Sequence, residues 1–259
     1  MRRLLRAVLP QRWRLRLWLV RRYFTRGSFQ LRRAQPSWRR RLVARAALRH
    51  HAARASRRAG VERLSAVRLI NLRSRPDRLA AAMVELRRLD ISRVDRFDAI
   101  DHPNGALGCA LSHAECVRQL LDNGWESMMV CEDDVEFLLD RGRLDVLVDA
   151  FLDDPCADVA CLAYFVWRSR PHSRLFLRAT SVQTTACYLV KRRVAPELFA
   201  IWEDGIEHLA KGETPRRYAC DRSWMRLQES RIFLVPVIRA ARQRSGYSKI
   251  EGRVVAYTH

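Results

Sequence analysis

The stretch that decides the fold runs from Gly105 to Phe137, GALGCALSHAECVRQLLDNGWESMMVCEDDVEF. Its first half repeats apolar residues at three- and four-residue spacing, which predicts a helix. Asp122-Asn123-Gly124 ends that helix. Residues 127–131 then form a continuous apolar run, short enough for a strand that is buried on both faces. Three acids follow at once, at the point where this strand leaves the core: Glu132, Asp133 and Asp134.

Three adjacent carboxylates at one strand end repel one another, and a bound cation neutralises such a cluster. Hard cations with oxygen ligands, Mg²⁺ or Mn²⁺, suit it, and they usually bring a substrate diphosphate. Ligands of open α/β sheets bind outside the carboxyl ends of the strands, which is where these acids fall. The alternative for an EDD sequence is a solvated acidic loop.

Charge is distributed unevenly along the 259 residues, whose formal net charge is +21. Residues 1–60 contain nineteen Arg and no Asp, Glu or Lys, so residues 61–259 are nearly neutral. We therefore predict two parts, a basic Arg-rich extension over residues 1–60 and a globular domain over residues 61–259. No recognised nucleic-acid motif lies in the second part. We expect no nucleic-acid partner, and a basic nucleic-acid-binding protein is the alternative.

The extension mixes aromatic residues with arginine, which suits an interfacial element on an anionic membrane surface. A disordered basic segment and a mitochondrial transit peptide are the alternatives. No uncharged run approaches the roughly 20 residues that span a bilayer. The seven cysteines form no CxxC pair, so zinc-site spacing is absent. An odd count without a secretory signal indicates a reducing compartment.

Strand and helix patterns alternate along the domain, which predicts an α/β fold with a mostly parallel central sheet. The predicted strands are residues 66–72, 94–100, 127–131, 159–166, 185–190 and 232–237. The predicted helices are residues 74–88, 106–121, 145–151, 194–209 and 220–227.

Three stretches carry a family resemblance: INLRSRPDR at 70–78, FDAIDHPNGALGCALSH at 97–113 and MVCEDDVEF at 129–137. Together, in this order and spacing, they resemble glycosyltransferase family 25, which includes bacterial lipooligosaccharide galactosyltransferases and collagen galactosyltransferase domains. The resemblance runs from about Val67 to Glu251. It implies a GT-A-like nucleotide-sugar-binding fold and inverting transfer of a hexose, often galactose, from a UDP-sugar. The acceptor would be a surface glycolipid or polysaccharide of lipopolysaccharide biosynthesis. The enzyme would lie in the cytoplasm, peripheral on the inner face of the membrane.

Several polar residues near the predicted strand ends can contact such a donor. The amide of Asn71 can hydrogen-bond a uracil or ribose edge, or it is a turn residue. Arg75 and Arg78 can bind a diphosphate, because guanidinium groups suit its geometry. The alternative for either arginine is an exposed charge on the protein surface. Two aspartates can bind ribose or sugar hydroxyls, unless they cap a loop: Asp98 and Asp101.

The start of the quoted helix offers three further candidates. Gly108 permits close backbone approach near a phosphate or sugar. Ser112 and His113 are neighbours on a helix, and neighbours point about 100° apart, so they do not face each other as a dyad. We expect a substrate contact at Ser112. We interpret His113 as a sugar or phosphate contact or as a structural histidine.

The family resemblance also implies roles for acids. The acidic cluster takes the place of a DXD-type motif, which bridges a Mn²⁺ or Mg²⁺ ion to the donor phosphates. We expect Glu132 and Asp134 to be metal ligands, and Asp133 to face the nucleotide or to brace the loop. Asp221 is the candidate general base, with Asp204 and Glu203 behind it. Family members commonly carry Ser-Asp-Ile where this chain has Ser248-Lys249-Ile250. A metal-free, lysine-assisted enzyme and a catalytically silent scaffold are therefore further alternatives.

Overall fold

The computed structural model describes residues 36–52, 60–248 and 253–255. The α-helices in these residues are α1 (Trp38–Ala52), α2 (Pro76–Arg88), α3 (Gly105–Asp122), α4 (Arg141–Leu152), α5 (Ala195–Ala210), α6 (Pro215–Tyr218) and α7 (Cys220–Ser223). The strands are β1 (Ala66–Asn71), β2 (Asp95–Asp98), β3 (Ser127–Glu132), β4 (Val135–Phe137), β5 (Val159–Cys161), β6 (Phe165–Pro171), β7 (Phe176–Gln183), β8 (Cys187–Lys191), β9 (Phe233–Pro236), β10 (Ala241–Gln243), β11 (Gly246–Ser248) and β12 (Arg253–Val255).

A sheet of eight strands forms the centre of the fold, in the order β2-β1-β3-β8-β5-β9-β7-β6. The pairs β1–β2, β1–β3 and β5–β9 are parallel, whereas β7 and β8 run against both of their neighbours. Six of these eight strands therefore point the same way. The predicted α/β fold with a mostly parallel central sheet is confirmed, and the reversal of β7 and β8 is new information.

Strand β3 divides the core into two layers, because successive side chains of a strand point to opposite faces. Met128 and Val130 pack into the apolar cluster beneath α3 and α5. Met129 and Cys131 pack into the cluster beneath α2 and α4. Both faces of β3 are thus covered, as its continuous apolar run predicted. The acids follow directly at the carboxyl end of β3, and Asp133 and Asp134 are themselves buried.

The prediction for residues 159–183 was wrong in one strand and incomplete after it. The single strand predicted over 159–166 is two strands, β5 and β6, because strand pairing is interrupted at residues 162–164. In this interruption the Tyr164 hydroxyl donates to the Pro236 carbonyl at 2.7 Å. Residues 167–183 belong largely to the antiparallel hairpin of β6 and β7, for which the sequence predicted no strand beyond residue 166. Exposed arginines on β6 interrupt the apolar pattern, so the sequence resembles a loop there.

Helix α1 lies within the predicted extension, yet it packs on the globular part. Ala44 and Leu48, one turn apart, are buried in the two apolar clusters, and α1 lies against α4. The domain boundary at residue 60 stays a prediction. The aromatic residues of positions 1–35 lie outside the described residues. Among the residues that are described, no helix combines the length and apolarity that a bilayer span needs.

Candidate functional site

A cleft of about 580 Å³ opens where β1 and β3 end and α3 begins. Parallel strands bring their carboxyl ends to one edge of the sheet, so residues far apart in sequence meet there. Ten of the predicted site residues line this cleft: Asn71, Arg78, Asp101, Gly108, Ser112, His113, Glu132, Asp133, Asp134 and Asp221.

Two predicted donor contacts lie elsewhere. Arg75 forms an ion pair with Asp77 at 2.6 Å, two residues away in the first turn of α2. Asp98 pairs with Arg73 at 2.6 Å and with Arg96 at 3.0 Å. Neither Arg75 nor Asp98 lines the cleft, because the sheet edge and the α2 turn direct both side chains toward local partners of opposite charge.

Asn71 holds the acidic turn in place. Its Nδ2 donates to Asp133 Oδ2 at 2.7 Å and to the Arg75 carbonyl at 3.0 Å, and its Oδ1 accepts from Arg96 Nε at 3.2 Å. The amide is buried and both of its N–H groups are occupied. In this arrangement Asn71 serves as a brace between β1 and β3 instead of offering its amide to a base or ribose.

Each carboxylate oxygen of Asp133 has a protein partner. Beside the bond from Asn71, its Oδ1 accepts from Arg78 at 3.1 Å. Burial raises the pKa of Asp133, while these two partners act in the opposite direction. Asp133 therefore braces the turn and fixes Arg78 at the cleft, one of the two roles predicted for it.

Asp134 is different, because one of its oxygens has nothing to bind. Its Oδ2 accepts from Gln243 Nε2 at 3.0 Å, whereas Oδ1 is buried and has no hydrogen-bond partner among the described residues. Burial, followed by the charge of Glu132, raises the pKa of Asp134 to about 7. A buried acceptor without a partner is costly. A hard divalent cation, which prefers carboxylate oxygen, would satisfy this atom. The residues present thus fit the predicted metal at Asp134.

Glu132 has protein partners of its own. Its Oε1 accepts from the Thr185 hydroxyl at 2.8 Å and lies 3.2 Å from His113 Nε2, and His113 Nδ1 lies 3.1 Å from the Tyr188 hydroxyl. Burial opposes the charged form of Glu132, but the hydrogen bond and charge of His113 lower its pKa overall. Burial likewise opposes protonation of His113, and the surrounding negative groups raise its pKa overall. The structure therefore gives Glu132 a buried histidine partner at the position where we predicted a metal ligand.

Gly108 and Ser112 fix the start of α3. A Cβ on Gly108 would lie 2.5 Å from the Ile100 carbonyl oxygen, so only glycine allows this approach. The Ser112 hydroxyl donates to the Gly108 carbonyl at 2.8 Å and accepts from the Ile100 amide at 2.9 Å. Ser112 is buried, and its hydrogen bonds indicate a structural role where we had predicted a substrate contact.

Asp221 reaches the same cleft from α7. Its Oδ2 accepts from the Thr184 amide at 3.3 Å, and burial raises its pKa. A carboxylate whose pKa is raised binds a proton more strongly, which suits a general base. Asp204 forms an ion pair with Arg226 at 2.7 Å, and neither it nor Glu203 lines the cleft. Lys249 lies outside the described residues.

Thr184 and Gln243 are among the polar residues of the cleft that sequence reasoning did not single out. Thr184 has a φ of 75°, a left-handed conformation that is rare for a residue with a branched side chain. Its hydroxyl donates to Gln243 Oε1 at 3.4 Å, and Gln243 in turn holds Asp134. The Thr-Thr pair at 184–185 before a strand was the only local signal, because Gln243 comes from a segment without clear periodicity.

Comparison with known proteins agrees with the family resemblance. Residues 103–208 match the sequence profile described as glycosyltransferase family 25 (LPS biosynthesis protein). The matched region contains α3, β3 and the acidic turn. No curated protein matches the chain.

Solved structures resemble the chain only distantly. A glycosyltransferase involved in the glycosylation of the major capsid of PBCV-1 has 10% identity and a TM-score of 0.43, covering 72% of this chain and 96% of its own. A UDP-glucose pyrophosphorylase complexed with UDP-glucose has 10% identity and a TM-score of 0.42, and the match covers 82% of this chain and 84% of the pyrophosphorylase. The mannose-1-phosphate geranyltransferase from Thermus thermophilus has 12% identity and a TM-score of 0.39, and the match covers 71% of this chain and 60% of the geranyltransferase.

Structural similarity with TM-scores below 0.5 carries no argument about activity. The match to the family profile is therefore the comparison that bears on the activity of this chain. It confirms the resemblance that the three sequence stretches indicated, with a match to glycosyltransferase family 25 over residues 103–208.

Proposed function

We propose that this enzyme transfers a hexose from a UDP-sugar to a saccharide acceptor, with inversion and with the help of Mn²⁺ or Mg²⁺. The hexose is galactose and the acceptor belongs to a surface glycolipid or polysaccharide, by resemblance to the family. The observation that carries the proposal is Asp134 Oδ1, a buried carboxylate oxygen without a described partner at the end of β3. It lies in a cleft that Arg78 and Asp221 also line.

Charge in the cleft supports a diphosphate donor. Arg78 lies 3.1 Å from Asp133 and 3.7 Å from Asp134, so its guanidinium group is held beside the acidic turn. A guanidinium group binds phosphate oxygens through several N–H donors at once. Asp134 would hold a divalent cation, which would supply additional positive charge to the diphosphate leaving group. Together these groups favour departure of UDP without a protonated leaving group.

Proton transfer falls to Asp221 in this proposal. Inversion requires that the acceptor hydroxyl attack the anomeric carbon opposite the departing phosphate, and its proton needs a base. Burial raises the pKa of Asp221, and the Thr184 amide fixes one of its oxygens, leaving the other for the acceptor hydroxyl. The bond formed joins the acceptor oxygen to the sugar, the bond broken joins the sugar to UDP, and the proton moves to Asp221.

The proposed location is the cytoplasmic face of the membrane, with the basic segment on anionic lipid. Residues 1–60 carry nineteen arginines. The part of this segment that the structure describes adds an exposed apolar side chain, Trp38, at the start of α1. Anionic lipid attracts such clusters by about 1 kcal/mol per arginine near the surface. Such a location would bring the enzyme to a glycolipid acceptor.

Titration calorimetry of the full chain with UDP tests the proposal, with and without Mn²⁺. We expect binding that Mn²⁺ strengthens. Absence of UDP binding under both conditions would contradict a UDP-sugar donor. A thermal-shift panel of nucleotide sugars in Mn²⁺ then identifies the hexose, because a ligand that binds the folded state raises its apparent stability.

A further inference from the structure

Three metal-binding side chains of the cleft take no part in the proposed transfer. Cys109 and His113 lie four residues apart on α3, so they occupy one face of that helix. Cys220 begins α7, more than a hundred residues later. The sulfur atoms of the two cysteines are 3.6 Å apart, and one ligand atom from each of the three residues lies within 4.8 Å of the others.

This separation matches a known coordination geometry. Two Zn–S bonds of about 2.3 Å at a tetrahedral angle place the sulfur atoms about 3.8 Å apart. A disulfide would require about 2.05 Å. Two thiolates with one imidazole form a ligand set that zinc enzymes use, with the fourth position open. We propose that Cys109, His113 and Cys220 bind a zinc ion at the floor of the cleft, separate from the hard cation at Asp134.

Ligand chemistry keeps the two cation positions apart. Thiolate sulfur and imidazole nitrogen select Zn²⁺, whereas a carboxylate oxygen such as Asp134 Oδ1 selects Mg²⁺ or Mn²⁺. Zinc binding to this set releases the two thiol protons, so the unit of one Zn²⁺, two thiolates and one neutral imidazole carries no net charge. Such a unit adds no further charge beneath the acidic turn.

The surroundings of His113 are those of a metal-binding imidazole. The Tyr188 hydroxyl lies 3.1 Å from Nδ1 and can hold the proton there, which leaves the Nε2 lone pair for a ligand. Glu132 Oε1 lies 3.2 Å from Nε2. Two lone pairs at that distance repel unless a proton or a cation accompanies them. Glu132 is thus placed to become the fourth ligand or to bind a water in the fourth position.

The backbone around Cys220 is fixed before any ion binds. The buried Trp202 donates from Nε1 to the Cys220 carbonyl at 2.9 Å. The Thr185 hydroxyl lies 3.4 Å from Cys220 Sγ. A zinc ion at this point would tie α7 to α3 and so hold Asp221, the next residue of α7, at the cleft.

A second thiol pair in the same protein provides an internal comparison. Cys131 and Cys187 lie on paired strands with their sulfur atoms 3.4 Å apart, and both are buried. Among the described residues this pair has no histidine or acid that completes a metal-binding group. Proximity of two sulfurs alone therefore predicts no zinc there, and among the described residues the proposed zinc depends on Cys109 and Cys220.

The test uses the full chain, purified under reducing conditions, stripped of metal, incubated with zinc sulfate and dialysed. Elemental analysis by mass spectrometry should find about one zinc per chain, and Cys109→Ser and Cys220→Ser should bind zinc at least about tenfold more weakly. Cys156→Ser removes an exposed thiol outside the cluster and should retain the metal. Substitution by Co²⁺ should give sulfur-to-cobalt absorption in the wild type and lose it in the two cluster variants.

A measurement on the wild type alone covers the case in which a variant fails to fold. Zinc should slow alkylation of Cys109 and Cys220, read by peptide mass mapping, while the rate at Cys156 stays unchanged. Failure of the reduced wild type to retain zinc would overturn the proposal. Equal zinc retention by all three serine variants would overturn it as well.

Discussion

Gln243 donates from Nε2 to Asp134 Oδ2 at 3.0 Å, although the two residues are 109 positions apart. Strand β10 makes this contact possible, because it pairs antiparallel with β4 and sets Gln243 opposite Val135, directly after the acidic turn. Gln243 satisfies one oxygen of the carboxylate and leaves the other, Oδ1, buried without a described partner. The acidic turn is therefore held in place while one acceptor stays available.

The first prediction concerns the pH dependence of stability in the metal-free protein. Burial, with the charge of Glu132, raises the pKa of Asp134 from its ordinary value of 3.8 to about 7. Between pH 3.8 and about 7, the folded state keeps a proton on Asp134 that the unfolded state has lost. The stability that this proton contributes is complete below pH 3.8 and is lost as the pH rises through about 7. A pKa difference of one corresponds to about 1.4 kcal/mol. Asp134→Asn, which has no charge to bury, should stabilise the metal-free protein at pH 8 and change little at pH 4.

Urea denaturation in the presence of a chelator measures this difference. Addition of Mn²⁺ at pH 8 should stabilise the wild type and leave Asp134→Asn unchanged, because the cation needs the carboxylate. The same stability difference at pH 4 and pH 8 would show that Asp134 does not carry a raised pKa.

The second prediction concerns Asn71, the brace between β1 and β3. Asn71→Ala leaves Asp133 without its 2.7 Å hydrogen bond and Arg96 Nε without its acceptor. A buried polar group left without a partner costs about 1–3 kcal/mol. We expect that loss of unfolding free energy, together with weaker UDP binding, since Asp133 would no longer fix Arg78. Asn123→Ala at the exposed end of α3 is the control, and equal losses in both variants would contradict a bracing role.

The sequence predicted the core of this site because its signals are local. The apolar run of β3 places residues 132–134 at a strand end, and adjacent strands bring Asn71 to the same edge. The sequence could not show how each carboxylate is used. Asp133, Asp134 and Glu132 differ only in their partners, which come from positions 71, 243 and 113. Long-range contacts of this kind leave no trace in residue spacing.

The same limit explains why two predicted donor contacts lie away from the cleft. Arg75 and Asp98 have donor-binding chemistry, but each has an oppositely charged neighbour within two residues or on the same sheet edge, and these local pairs prevail. The absence of CxxC spacing removed one local signal of a zinc site, and the ligands of the proposed zinc come from two different helices. A sequence rule that reads local spacing sees only the Cys109 and His113 half of that cluster.

The third prediction concerns the membrane. Helix α1 presents Trp38 and Leu42, one turn apart, which are 67% and 54% exposed. Arg45 and Arg49 continue the same helical spacing and are exposed too. Such a face suits an anionic surface, with the apolar side chains in the interface and the arginines at the head groups. The double variant Trp38→Ser with Leu42→Ser should bind anionic vesicles about tenfold more weakly, since fully burying one such side chain contributes about 1.5–3 kcal/mol.

Vesicle sedimentation of the full chain measures this effect. Deletion of residues 1–60 is a poor test, because it would remove Ala44 and Leu48 from the core. Val84→Ser on α2 removes an apolar side chain that is 61% exposed, and it serves as the control. High salt should release the wild type, because it screens the arginines. Unchanged binding of the double variant would place the lipid contact outside α1.

The fourth prediction concerns the general base. Asp221→Asn should lower kcat by a factor on the order of 10²–10⁴, with little change in UDP affinity, because the base acts only on the acceptor proton. Asp204→Asn is the control, since Asp204 pairs with Arg226 outside the cleft. The pH profile of kcat supplies an independent readout: its acidic limb should disappear in Asp221→Asn. If both variants keep the wild-type profile, another group accepts the proton.

The last prediction concerns Asp134 as a metal ligand. Asp134→Asn keeps the size of the side chain and the hydrogen bond to Gln243 but removes the charge that holds the cation. Turnover at saturating Mn²⁺ should fall by a factor on the order of 10² or more, since one lost electrostatic contact at a developing charge costs about 2.7–4 kcal/mol. Asp140→Asn is a close control: Asp140 caps α4 by accepting from the Arg143 amide at 2.9 Å, and asparagine caps helices equally well. Circular dichroism confirms the fold of both variants. Near wild-type turnover in Asp134→Asn would mean that this carboxylate does not hold the ion, and it would favour a transfer that proceeds without metal.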